Sequence, residues 1–280
     1  MLIFRGVDEY TRIFKKNAVG KAWLPGFGVF EREVRRFFAV PAQTILAPFG
    51  SAILYFGLFG LALGKLISKN NDQVITHGYD YVVFLIPGIM AMEVVNAGLQ
   101  NPMSSIMIAK WSGTIVDILM APLSPFAMWL AYICGAIIRA MIVSLAVLTA
   151  GFLCAWTFVS FNPIFLVCAL ILATGIFGSI GIVVGAICKS WDQVGVLLSF
   201  IVQPLVFFSG VFFSFSTFPE WIQFIRYFNP IFYIVSMFRY SILGISDTSP
   251  LISFSVSLLF FIIASIFSVK VLKSGFGLRS

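Results

Sequence analysis

Long apolar runs separated by short polar punctuation dominate this chain. Six blocks, at about residues 44–64, 81–99, 126–151, 163–187, 193–213 and 251–271, are long enough to cross a bilayer, since a spanning helix needs about 20 apolar residues. The breaks between them carry helix-start signals. Pro suits a first helical turn because its missing N–H needs no partner there, and a preceding Asn or Ser side chain accepts from free N–H groups. That pairing recurs at Asn101-Pro102, Ser124-Pro125, Asn162-Pro163, Asn229-Pro230 and Ser249-Pro250. Ser190 with Gln193, and Thr217 with Glu220, have the spacing of capping boxes.

Two further segments are apolar without being spans. In residues 27–38 (FGVFEREVRRFF), Phe27, Phe30, Val34, Phe37 and Phe38 fall on one helical face and Glu31, Arg32, Arg35 and Arg36 mostly on the other. This pattern predicts an amphipathic helix lying in a membrane interface. Gly20, Pro25 and Gly26 separate it from a basic tail, residues 1–26, so that the membrane domain occupies residues 27–280. The second segment, 217–244 (TFPEWIQFIRYFNPIFYIVSMFRYSILG), is too aromatic for an ordinary loop. It is also too broken by Pro219, Asn229 and Pro230, and too charged by Glu220, Arg226 and Arg239, to span. It predicts two short helices at or within the membrane surface, the first opening at Thr217 and the second at Asn229.

Composition agrees with the pattern. Of 280 residues, 60% are hydrophobic and only 10% charged, against about 25% charged in a soluble domain. The chain therefore reads as an all-α, multi-pass membrane protein with six transmembrane helices. No secretory leader is visible in the polar, basic first 43 residues. The four cysteines stand singly, at no metal or redox spacing.

The net charge of +7 does not point to nucleic acid, because the excess lies beside the spans, where basic residues set orientation. With the N-terminus inside, inner segments carry Arg5, Arg12, Lys15, Lys16, Lys21, Arg32, Arg35, Arg36, Lys110, Lys189, Lys270, Lys273 and Arg279. Outer segments carry only Lys65, Lys69, Arg226 and Arg239. Both termini are thus expected in the cytoplasm, and segment 217–244 on the outer face.

Little catalytic chemistry is on offer. Gly64-Lys65 is followed by Leu66, and no phosphate loop is present. The single His77 has no metal-ligand company, and no metal site or catalytic residue is expected. Glu93 and Arg139 alone lie well inside predicted spans. Each sits about twelve residues from the outer end of its helix, hence at similar depth at 1.5 Å rise per residue. An unpaired charge there is expensive, so an ion pair between them is expected, the alternative being that each faces a hydrated cavity separately. Glycines at 57, 60 and 64, and at 178, 181 and 185, mark close helix packing, with GxxxG spacing at Gly60–Gly64 and Gly181–Gly185.

The inner loop 102–122 holds a run, GTIVDILMAPLSP (Gly113 to Pro125), that resembles the coupling loop of ABC-2 type permeases, the membrane subunits of ATP-driven exporters. Gly113, Thr114, Asp117, Leu119 and Pro122 fit the family's G-T-L-E-x-L-L-x-x-P pattern; Val116 departs, leaving Asp117 as the local carboxylate. FFSGVFF, FPEW and NPIFYIVSMFRYSILG are similar to the family's fifth span, short outer helices and return helix, and the closing GFGLRS is similar to a branch of bacterial inner-membrane permeases. The order of elements matches over residues 27–280.

The resemblance implies an N-terminal interfacial helix, a cytoplasmic coupling helix after span two and two short re-entrant outer helices between spans five and six. It implies a homodimer of the permease with two copies of a separate ABC ATPase, which would hold ATP and Mg²⁺; this chain would carry no cofactor. Lys110, Trp111, Gly113, Thr114 and Asp117 would meet the ATPase. Glu220, Trp221, Arg226, Tyr227, Asn229, Pro230 and Tyr233 would belong to an outer gate. The setting implied is the bacterial inner membrane, with membrane lipids as further partners. No acidic cluster marks a cationic cargo and no basic groove a phosphate-rich one, so an amphiphilic cargo such as a lipid-linked glycan, lipid or hydrophobic drug is expected. An ion-driven carrier or channel, and an intramembrane lipid-modifying enzyme, are the other readings that the residues leave open.

Overall fold

The computed structural model describes residues 23–60, 79–121, 123–155, 162–214 and 223–278. Among these residues the chain is helical, with no strand. Helix α1 (Trp23–Phe38) leads into α2 (Ala42–Gly60), α3 (Tyr81–Trp111), the short α4 (Ile115–Met120), α5 (Pro125–Ala155), α6 (Pro163–Ile187) and α7 (Trp191–Phe207). A 3-10 turn (Phe224–Phe228), α8 (Pro230–Leu243) and α9 (Pro250–Ser274) complete it. Five of these helices, α2, α3, α5, α6 and α9, are long and apolar enough to cross a membrane. The fifth expected block becomes the shorter α7, followed by turns at residues 208–213.

The helix-start signals work mostly as expected. Asn162 Oδ1 accepts from the Phe165 N–H at 3.3 Å, Asn229 Oδ1 from Ile231 at 3.0 Å and Ser124 Oγ from Ala127 at 3.1 Å. Ser190 accepts from Gln193 N–H at 3.4 Å, while the Gln193 amide oxygen reaches back to the Lys189 N–H at 2.8 Å. Ser249 precedes α9 without a side-chain cap. The expected box at Thr217 and Glu220 lies outside the described residues.

Asn101-Pro102 is the exception. The expected inner loop 102–122 does not begin there: α3 runs through Pro102 to Trp111. The Asn101 side chain is held sideways by α1, accepting from Arg36 Nη2 at 3.1 Å, so it is not free to cap. The continuation is also buried against α6. At Gly181 an added Cβ would stand 2.2 Å from Leu99 O, and at Gly185 2.9 Å from Met103 O. These glycines let the two backbones approach, as small residues do between membrane helices. They spend the second GxxxG face inside the chain.

Burial is uneven. In the most apolar stretch of each helix, 83% of α3 and 72% of α6 is buried, against 17% in α2 and in α9. α3 and α6 thus form the centre, with α5 and α8 packed on them and α2 and α9 at the periphery. α8 is buried almost all round, from Ile231 to Leu243.

α1 starts at Trp23, earlier than the expected residue 27, and Pro25 falls in its first turn, where no N–H is required. Its buried stripe differs from the expected apolar face: Val29, Glu33 and Phe37 point inward, while Phe27 and Phe38 are exposed.

Candidate functional site

Three constellations stand out, two at the end of the bundle where α1, α3 and α4 meet and one at the opposite end. The first is the connection from α3 to α5. Gly113 adopts φ +74°, a left-handed conformation that side-chain-bearing residues rarely take. It turns the chain from Trp111 into α4. Ile115 anchors this piece in a cluster with Ile106, Ala109 and Met128. The rest projects outward: Trp111 is 71% exposed and Met120 79%. Thr114 and Asp117 are exposed too, and the Thr114 and Ser112 hydroxyls lie 2.8 Å apart. Lys110 is different. Its Nζ donates to the carbonyls of Ala186 at 2.9 Å and Cys188 at 2.7 Å, so it caps the C-terminus of α6, where a cation also suits the helix dipole.

The second constellation centres on Glu33, fully buried on α1. Arg32 and Arg36 pair with it at 3.3 and 3.1 Å. Ser105 donates a short hydrogen bond to it, and Arg32 also reaches Ser105 and Tyr132. Arg36 donates to the Asn101 carbonyl at 2.6 Å and to Ser104 at 3.0 Å. Burial pushes the Arg36 guanidinium below its ordinary range, while the Glu33 carboxylate pushes it back up. This network stitches α1 to α3 and α5. It has no counterpart in the sequence reading, which placed these arginines on the polar face. The available signal was Glu33 itself, an acid at helical spacing between Val29 and Phe37.

The third constellation surrounds Arg239 on α8, an arginine with no exposed surface. It pairs with Asp247, donates to Gly210 O at 2.7 Å, and lies with its guanidinium carbon 4.2 Å from the centre of the Phe84 ring. Ser214 donates to the same Asp247 at 2.5 Å. Nearby, Asn229 Nδ2 donates to the carbonyls of Leu205 and Phe208 at 2.7 and 3.2 Å. It thereby satisfies the end of α7 while its Oδ1 caps α8, which Pro230 opens. Among the described residues, polar groups therefore tie the end of α7 to α8 in an apolar setting, as a membrane interior demands, with Arg239 Nε left without a hydrogen bond.

Of the expected outer-gate residues, Asn229, Pro230 and Tyr233 gather here, with Tyr233 packed on Phe232 and Val256. Arg226 and Tyr227 sit on the exposed 3-10 turn, the guanidinium 5.0 Å from the Tyr227 ring centre. Glu220 and Trp221 lie outside the described residues, as does Pro122 of the coupling motif.

The expected ion pair between Glu93 and Arg139 is not formed. Glu93 accepts from Ser51 at 2.7 Å, which ties it to α2. Arg139 instead borders a cavity beside Arg36. Equal depth was not enough, because the two side chains leave their helices toward different neighbours.

The sequence profile of the ABC-2 type transporter family matches residues 27–243, which takes in both the exposed α3–α5 connection and the polar end of α8. This chain belongs to the ABC-2 type transporter family. It is 30% identical over 258 residues to the inner membrane transport permease YadH of Escherichia coli K12, covering 92% of this chain and 98% of that protein. It is 27% identical over 222 residues to nodulation protein J of Azorhizobium caulinodans, covering 75% of this chain and 81% of that protein. The protein is accordingly a multi-pass membrane transport permease of the ABC-2 family.

Proposed function

We propose that this ABC-2 permease is the membrane half of an ATP-driven exporter in the bacterial inner membrane, working as a homodimer with two copies of a separate ABC ATPase. The observation that carries the reading is the connection from Trp111 to Met120. A turn fixed by Gly113 presents Trp111, Val116 and Met120 to the outside, with exposures of 71%, 53% and 79%. Clustered exposed apolar side chains rimmed by polar ones mark an interaction site. Thr114 and Asp117 supply the polar rim, and α4 is the coupling helix. Lys110 contributes by holding the turn to α6.

The names of the relatives, a transport permease of the inner membrane and a nodulation protein, are compatible with outward movement of an amphiphile: a lipid, a lipid-linked glycan or a hydrophobic drug. With α7 counted as a short sixth span, the basic residues of the inner segments support both termini in the cytoplasm and α8 with the 3-10 turn on the outer side. There they form re-entrant helices that close the exit. Phe27 and Phe38, exposed on α1, face membrane lipid, and α1 lies in the inner interface. The ATPase holds ATP and Mg²⁺; this chain supplies the pathway and the docking turn.

The test is co-purification. A tagged permease is expected to carry an ABC ATPase with it and to show nucleotide hydrolysis stimulated by amphiphiles, and Asp117→Lys is expected to lose both. Transport by the purified chain alone in liposomes, driven by an ion gradient without ATP, would sink the reading.

A further inference from the structure

A cavity of about 460 Å³ lies where α1, α2, α3, α5 and α7 converge, within the roughly 300–1,000 Å³ range of small-ligand sites. Its lining has two characters. Arg36, Arg139, Gln43, Gln100, Asn101 and Ser104 bring charge and hydrogen-bonding groups. Phe37, Met103, Ile108, Trp191 and Leu198 bring apolar surface. Both π-helical turns that meet this region, Ala42–Leu46 and Leu198–Val202, contribute to the wall through Gln43, Thr44 and Leu198. Such wide turns often mark functional sites within helices.

The charge here is unbalanced. Glu33 is already shared by Arg32 and Arg36. Arg139 has those same groups, Arg36 and Glu33, as its charged surroundings, yet its Nε is buried with no hydrogen-bond partner. Two guanidiniums thus share one carboxylate, and Arg139 lines the cavity beside them without a carboxylate of its own. A half-buried cation left without a partner is costly. Arginine's planar fork matches phosphate oxygens in particular. The basic groove missing from the linear sequence is assembled by the fold, from α1 and α5.

We propose that this cavity binds a phosphate group carried by an amphiphile, with Arg139 as its principal ligand, Arg36 beside it, and the apolar portion of the amphiphile against Met103, Ile108 and Leu198. The mixed lining favours a lipid-borne phosphate over the free ion. This goes beyond the transport reading, because the site and its occupant can be measured without the ATPase.

The full chain in nanodiscs, offered phosphatidic acid, diacylglycerol or inorganic phosphate, tests it by native mass spectrometry of the retained ligand. The wild type is expected to retain phosphatidic acid in preference to diacylglycerol. Arg139→Gln is expected to weaken that retention by about tenfold, as for loss of one hydrogen bond to a charged group, and Arg139→Lys to restore part of it. A second variant avoids the charge altogether. Gly195 lines the cavity, and a Cβ added there meets nothing within 4 Å, so Gly195→Trp is expected to fill the space and exclude the lipid in a folded protein. Equal retention in the wild type, Arg139→Gln and Gly195→Trp would overturn the site. Retention of inorganic phosphate without phosphatidic acid would overturn the amphiphile. Neither result bears on ATPase docking, which Asp117→Lys reads separately.

Discussion

Arg239 and Arg139 are both arginines on apolar helices, and they meet opposite fates. Arg239 is sealed from solvent with Asp247, a backbone carbonyl and an aromatic face around it. The Nε lacks a partner in both, but Arg139 borders a cavity and, unlike Arg239, pairs with no carboxylate or carbonyl among the described residues. The first arrangement closes a turn between α7, α8 and α9. The second leaves binding capacity unused. A buried cation whose charge and terminal nitrogens are matched reads as architecture; one that pairs with no carboxylate or carbonyl and faces open space reads as a place for something else.

The largest effect that would test this contrast is at Asp247. Asp247→Ala strands Arg239 without its counter-charge and is expected to destabilise the protein by about 3–5 kcal/mol, the range for breaking a buried pair; thermal unfolding in detergent should show it as loss of folded yield. Glu33→Gln comes next. It keeps the shape but weakens the hold on Arg32 and Arg36, for an expected loss of about 2 kcal/mol, as for hydrogen bonds to charged groups. Lys110→Met removes a cation held by carbonyls at a helix end, and about 1 kcal/mol is expected; co-purification of the ATPase should weaken less than in Asp117→Lys. Smallest is Arg139→Met. Removing a cation that lacks partners is expected to change stability by less than about 1 kcal/mol, or to raise it. If Arg139→Met unfolds the protein as readily as Asp247→Ala, the contrast between the two arginines fails.

Much of the fold was legible along the chain because bilayer thickness sets a length scale that hydropathy records directly. The block at 163–187 coincides with α6, and the Asn-Pro signals at 162 and 229 form their caps. Asn101-Pro102 misled because a cap signal is local, whereas α3 continues under nonlocal forces: Arg36 takes the Asn101 side chain, and Gly181 and Gly185 bury the backbone beyond it. At α1 the period was right and the direction incomplete. Helical periodicity identifies two faces, but it does not say that the polar face of Arg32 and Arg36 would turn partly inward around Glu33.

The candidate sites divide in the same way. Gly113, Thr114 and Asp117 form a contiguous motif, so their placement on one exposed turn follows from sequence order. Glu93 and Arg139 lie on different helices, and equal depth left their azimuths open; packing sent one to Ser51 and the other to the cavity. Arg239 looked like a surface charge because Asp247, Gly210 and Phe84 come from separate segments.

The sequence by itself determined the multi-pass helical class, most helix starts, the turn between α3 and α5 and the family, because hydropathy, capping and short motifs act over a few residues. Only the tertiary structure decided which charges are satisfied. That depends on which side chains several helices bring within about 3 Å of one another, and no single helix contains that information.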